Sequence, residues 1–142
     1  MENIDPIEPY TNLFIGSWET LGSHPADVVV SFAAETWKLI PDYVVSYKIP
    51  WHDTSNVGLR PLINNFEEAV EVGKLIADNV KQGKRVLVTC YGGENRSGLA
   101  AAIAMCELGM SGREAVEKII LLRPRALNNS TYRNFIIAHY LL

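Results

Sequence analysis

The sequence predicts an α/β fold: a mostly parallel central sheet of four to five strands flanked by helices. Three observations carry that expectation. Two nearly unbroken aliphatic runs, Asp27-Val28-Val29-Val30-Ser31-Phe32 and Val86-Leu87-Val88, have the length and β-branching of strands buried on both faces. Helical-period segments separate the strand-like ones, as crossovers between parallel strands require. The run at Val86 also passes through a Gly-Gly loop into a second apolar stretch, Leu99 to Met105, which gives a strand, a loop and a helix in direct succession.

Taken in order, Met1 to Pro6 is acidic and has neither the basic start nor the apolar stretch of a secretion signal. Leu13-Phe14-Ile15-Gly16 reads as a short strand ended by glycine, Asp27 to Phe32 as the second and Val44 to Ile49 as the third. Trp18 to Leu21 and Ala33 to Leu39 are short helical connectors. Pro50 to Leu59, polar and containing Asn56 and Gly58, is a surface loop.

Leu62, Phe66, Ala69, Gly73, Ile76 and Val80 recur at spacings of four and three, so this segment is an amphipathic helix with Pro61 in its first turn and Gly83 as its stop. Glu67, Glu68, Glu71, Lys74 and Asp78 form its solvated face. Leu99 to Leu108 is a buried helix stopped by Gly109, with Cys106 on its apolar wall. Core packing explains Cys106 better than a role in resolving an oxidised Cys90. Ser111-Gly112-Arg113-Glu114 has capping-box spacing and starts a helix closed by Arg123-Pro124-Arg125. A final helix, Thr131 to Tyr140, is expected to turn Tyr132, Phe135, Ile136 and Tyr140 to the core.

At 142 residues the chain is expected to form one domain, 1–142. With 48% hydrophobic and 20% charged residues its composition is that of a globular protein, and a net charge of −3 without a basic run argues against nucleic-acid or anionic-membrane partners. No segment has the ~18 apolar residues of a membrane span. Two cysteines suit a reducing cytoplasm better than a disulfide framework.

The chemistry concentrates at Cys90, where strand gives way to loop. A loop entering a helix N-terminus turns backbone N–H groups inward with the positive end of the helix dipole behind them, which makes an anion cradle. That field favours the thiolate, the nucleophilic form. Arg96, six residues on, offers a planar two-pronged donor to two phosphate oxygens. Ser97 can donate a hydrogen bond toward the sulfur and help it leave a covalent intermediate. Gly92 and Gly93 let the backbone approach an anion closely.

Cys90-Tyr91-Gly92-Gly93-Glu94-Asn95-Arg96-Ser97 resembles the C-x-x-G-x-x-R-[ST] signature of the cysteine-dependent protein phosphatases, and its surroundings are similar to the small dual-specificity branch. The resemblance extends to Asn12 through Gly16, to Tyr47 through Asp53, and to Arg123-Pro124 with Asn128, so it covers most of the chain. It implies phosphoester hydrolysis through a cysteinyl-phosphate intermediate, without a cofactor or metal. By the same resemblance Cys90 is the nucleophile, Asp53 the general acid, Arg96 and Ser97 catalytic, and Tyr91, Gly92, Gly93, Glu94, Asn95 and Arg96 hold the substrate phosphate. The implied partners are a phosphorylated protein, on tyrosine or on serine/threonine, and a phosphate or sulfate ion in the loop.

Two residues depart from that pattern. Thr89 stands where the family usually has histidine; its hydroxyl can still bond backbone around the loop, but it lacks the ring's size and second nitrogen. Glu94 places a carboxylate in a loop meant for an anion, and is expected to point outward and disfavour strongly acidic substrates. His52 and Trp51 flank Asp53, and for both a packed or solvated role explains the residue better than catalysis. The alternatives are an RNA 5′-triphosphatase, which Asn95-Arg96-Ser97-Gly98 brings to mind, a phosphoinositide phosphatase, a non-catalytic phosphate-binding module, and a rhodanese-type sulfurtransferase, which has no use for Asp53.

Overall fold

The computed structural model describes residues 4–21, 26–49, 66–90, 95–128 and 130–141. Among these residues five strands, β1 (Ile4–Pro6), β2 (Leu13–Gly16), β3 (Val28–Ser31), β4 (Val45–Lys48) and β5 (Val86–Thr89), form one sheet in the order β1-β2-β5-β3-β4. β2, β5, β3 and β4 run parallel and β1 alone is antiparallel. The most apolar strand, β5, therefore lies between two parallel neighbours, where no edge is left to solvent. Gly16, Thr89, Ser31 and Lys48 share the last register row, so all four parallel strands end together at one carboxyl edge.

Among the described residues there are four α-helices, in chain order α1 (Phe66–Lys81), α2 (Asn95–Glu107), α3 (Gly112–Leu122) and α4 (Ser130–His139). All four contribute buried side chains to one cluster with Val28, Val30, Val86 and Val88. The opposite face carries Val29 and Leu87, packed with Leu21, Ala26, Ile40 and the half-buried Trp37. Its described cover is two 3-10 turns, Trp18–Thr20 and Ala34–Leu39. Helices flank the sheet as expected but unequally, because connectors of three and six residues are too short for an α-helix.

The local signals act where the residues place them. Ser111 Oγ accepts from Glu114 N at 3.2 Å and opens α3. Gly83 and Gly109 end their helices at φ +79° and +112°, a region other residues enter at a cost. One expectation needs correction, the start of α2, and one element is unforeseen, β1. The acidic N-terminus contributes β1, and α2 begins at Asn95 rather than Leu99, so Arg96 and Ser97 stand in its first turn. Among the described residues no helix is long and apolar enough to cross a membrane.

Candidate active site

Cys90 follows the last residue of β5, is 2% exposed, and faces the start of α2. Its Sγ lies 3.3 Å from Ser97 Oγ, within hydrogen-bond reach of sulfur. The helix N-terminus brings partial positive charge to the same spot. The thiol is thus held between a strand end and a helix start, with a hydroxyl at its side.

Arg96 is also buried, at 6% exposure, and its Nη1 donates to the Phe32 carbonyl at 3.2 Å. Phe32 directly follows β3, whose backbone is tied to the central strand by Phe32 N donating to Thr89 O at 3.0 Å. The guanidinium is thus fixed to the sheet's carboxyl edge on one side, at the end of the strands where Cys90 also lies. Nothing in the side-chain pattern announced Phe32, since a backbone acceptor leaves no signature in sequence.

The first turn of α2 is braced from outside. Asn95 Nδ2 donates to Asn128 Oδ1 at 2.6 Å. Leu127, fully buried, adopts φ +55°, a conformation that costs a branched residue on the order of 1 kcal/mol. Arg133 Nη1 donates to the Leu127 carbonyl, and the Leu127 side chain covers Gly98, where a Cβ would stand 3.2 Å from Leu127 Cγ. The turn before α4 therefore pushes against the residues that carry Arg96 and Ser97.

Thr89 departs from expectation. Its side chain is fully buried and, among the described residues, Oγ1 has no hydrogen-bond partner; neither has Ser31 Oγ, its register neighbour on β3. Among the described residues the hydroxyl bonds no backbone group, and two adjacent strands each bury an unsatisfied oxygen beside Cys90. Tyr91, Gly92, Gly93 and Glu94 lie outside the described residues, as do Asp53, His52 and Trp51. The structure brings together Cys90, Asn95, Arg96 and Ser97.

No protein-family model matches the sequence, and no curated protein matches it. Solved structures do. A tyrosine phosphatase from the Orf virus, OH1, described as having triple substrate specificity, is similar at TM-score 0.74 and 20% identity over 97% of this chain and 86% of its own. Human DUSP28 is similar at 0.73 and 17%, over 98% and 95%. A human tyrosine phosphatase-like serine/threonine/tyrosine-interacting protein is similar at 0.72 and 17%, over the whole of both chains. The chain thus has the fold of the small dual-specificity and tyrosine phosphatases from end to end.

Proposed function

We propose that this protein is a cysteine-dependent, metal-independent phosphatase of the dual-specificity type, acting on phosphotyrosine or phosphoserine/threonine in proteins. The observation that carries the reading is the contact of Cys90 Sγ with Ser97 Oγ at 3.3 Å, made in the same helical turn that seats the buried Arg96 against the sheet. Support also comes from the fold, which tyrosine phosphatases such as OH1 share.

In the first step the Cys90 thiolate attacks phosphorus, an S–P bond forms and the ester P–O bond breaks. Asp53 gives its proton to the departing oxygen. Arg96 and the amides of residues 91–96 hold the three equatorial oxygens as charge spreads over them. In the second step water attacks the phosphocysteine, Asp53 takes up a water proton, and phosphate leaves. Ser97 stabilises the sulfur as it regains its negative charge. The two cysteines and this use of a thiolate fit a cytoplasmic setting.

The test is a turnover panel at matched concentrations: phosphotyrosine and phosphothreonine peptides, an RNA 5′-triphosphate and a phosphoinositide, each with and without EDTA. Turnover of the phosphopeptides, unchanged by EDTA, is the expected result. Preference for the RNA or the lipid would replace the substrate class, and activity restored only by divalent metal would replace the mechanism.

A further inference from the structure

Phe66, the first residue of α1, stacks on Phe135 of α4 with ring centroids 4.0 Å apart and planes within 7°. Phe135 stacks in turn on His139 at 5.0 Å and 21°. This ladder of three rings lines an open groove of about 550 Å³, whose other walls are Val70 and three carboxylates, Glu67, Glu68 and Glu71. Among the described residues no lysine or arginine lines it. Glu67 and Glu68 sit in the first turn of α1, where the helix dipole welcomes them. Glu71 lies beyond that turn, so the dipole does not account for it. Lys74 Nζ lies 3.9 Å from it, with both side chains exposed.

The groove starts at the edge of the sheet where Cys90 lies. α1 leads down to Lys84 and the beginning of β5, so its first turn is at the opposite, carboxyl edge. The segment before α4 is tied there too, by Asn128 accepting from Asn95. From that edge α1 carries the carboxylates down the flank at ~1.5 Å per residue, so Phe66 to Glu71 spans roughly 7 Å, the reach of two or three extended residues.

Resting on the phosphatase reading, we propose that this groove holds a basic stretch of the phosphorylated substrate, an arginine or lysine lying a few residues from the phosphate. An aromatic face takes a guanidinium by stacking and cation–π attraction, and carboxylates at the rim pair with it. An acidic peptide or a nucleic-acid strand would meet like charge at Glu67 and Glu71 instead. The site thereby splits its electrostatics, positive at the cradle and negative on the flank. It selects a phosphate presented beside positive charge.

The experiment uses two phosphotyrosine peptides that differ only in carrying arginine or glutamate at positions two to five from the phosphotyrosine, with nitrophenyl phosphate as a substrate too small to reach the groove. The wild type is expected to favour the arginine peptide by about 10-fold or more in kcat/KM, with the preference shrinking as salt rises. Glu67→Gln/Glu71→Gln should remove most of that preference, and Glu67→Lys/Glu71→Lys should reverse it. Both should leave the nitrophenyl phosphate rate unchanged, which also reports that the variants fold. Equal kcat/KM for the two peptides, or a preference the variants retain, overturns the groove. Absence of nitrophenyl phosphate turnover overturns the catalytic reading instead. Fluorescence anisotropy of the same peptides with the wild type and both double variants then decides the groove by itself, an arginine preference lost in the variants supporting it and equal binding overturning it.

Discussion

Cys90 and Cys106 occupy the two ends of one helix, and the difference between them lies in the field each end supplies. Both are buried and free, at 2% and 7% exposure. Cys90 precedes α2 and meets its positive end, a hydroxyl and a neighbouring guanidinium. Cys106 sits in the last turn beside Glu107, and burial first, then that carboxylate, push its thiol up to about 12. Glu107 is itself engaged, accepting from Tyr140 Oη at 2.6 Å. Access ranks the two thiols one way and electrostatics the other, so experiment can tell which factor governs.

The largest effect expected is on turnover. Cys90→Ser should abolish it while keeping phosphate affinity within a few-fold, since in the proposed reaction the loop amides and Arg96 bind the anion and sulfur alone attacks it. Cys106→Ala should leave the rate within about two-fold and lower stability by about 1 kcal/mol. A C106A enzyme that is dead would erase the contrast between the ends of the helix.

Next in size is the selectivity of alkylation. With its thiol at about 12, Cys106 is thiolate in only on the order of one molecule in 10⁵ at pH 7. Iodoacetamide followed by peptide mass spectrometry should therefore mark Cys90 first, and added phosphate should protect it. Marking at Cys106 first would mean that exposure governs.

Arg96→Lys keeps the charge but removes the planar fork, and should cost ~100-fold or more in rate, the scale of a lost transition-state donor. A lysine variant that runs near wild type would falsify the cradle.

A smaller change tests the middle of α2. A Cβ on Gly73 of α1 would stand 2.3 Å from Ile103 Cγ2 and 3.2 Å from the Ala104 backbone nitrogen. Gly73→Ala should destabilise by about 1–3 kcal/mol through overpacking, read as a lower Tm, with the rate per folded molecule intact. A rate that falls with the Tm unmoved would show that the crossing steers the site.

The smallest effect belongs to the far end of β5. Arg85 there pairs with Asp27, donating from its backbone N at 2.8 Å and from Nη2 at 3.1 Å. Those side-chain and backbone bonds hold the Asp27 carboxyl below its usual value. A depressed carboxyl contributes stability above its unfolded pKa and loses it as pH falls through the folded one. Asp27→Asn should lower the Tm slightly at neutral pH, and the difference should close in acid.

Much of this arrangement is legible in the chain. β-branched runs at Val28 and Val86, the capping box at Ser111 and the glycines at 83 and 109 each speak through local chemistry, and each element forms where that chemistry points. β1 is not legible: Ile-Asp-Pro carries no strand pattern, and only the open edge of β2 recruits it. Within the site, Cys90, Arg96 and Ser97 announce themselves by type and spacing, whereas the Phe32 carbonyl and the left-handed Leu127 are backbone features that any residue could supply. The partnerless Thr89 hydroxyl was beyond reach for the opposite reason, since a threonine can find a partner almost anywhere and here, among the described residues, finds none.

From Asn95 to Cys106 every residue of α2 is buried, leaving only Glu107 at its end in partial contact with water. A helix without a wet face has no stability of its own to keep when its surroundings loosen. Its amide protons should exchange with solvent only in openings that dismantle the whole core, placing it among the last units to yield. Loss of the fold and loss of the arrangement of Arg96 and Ser97 are then one transition, and a partly unfolded population is not expected to keep it.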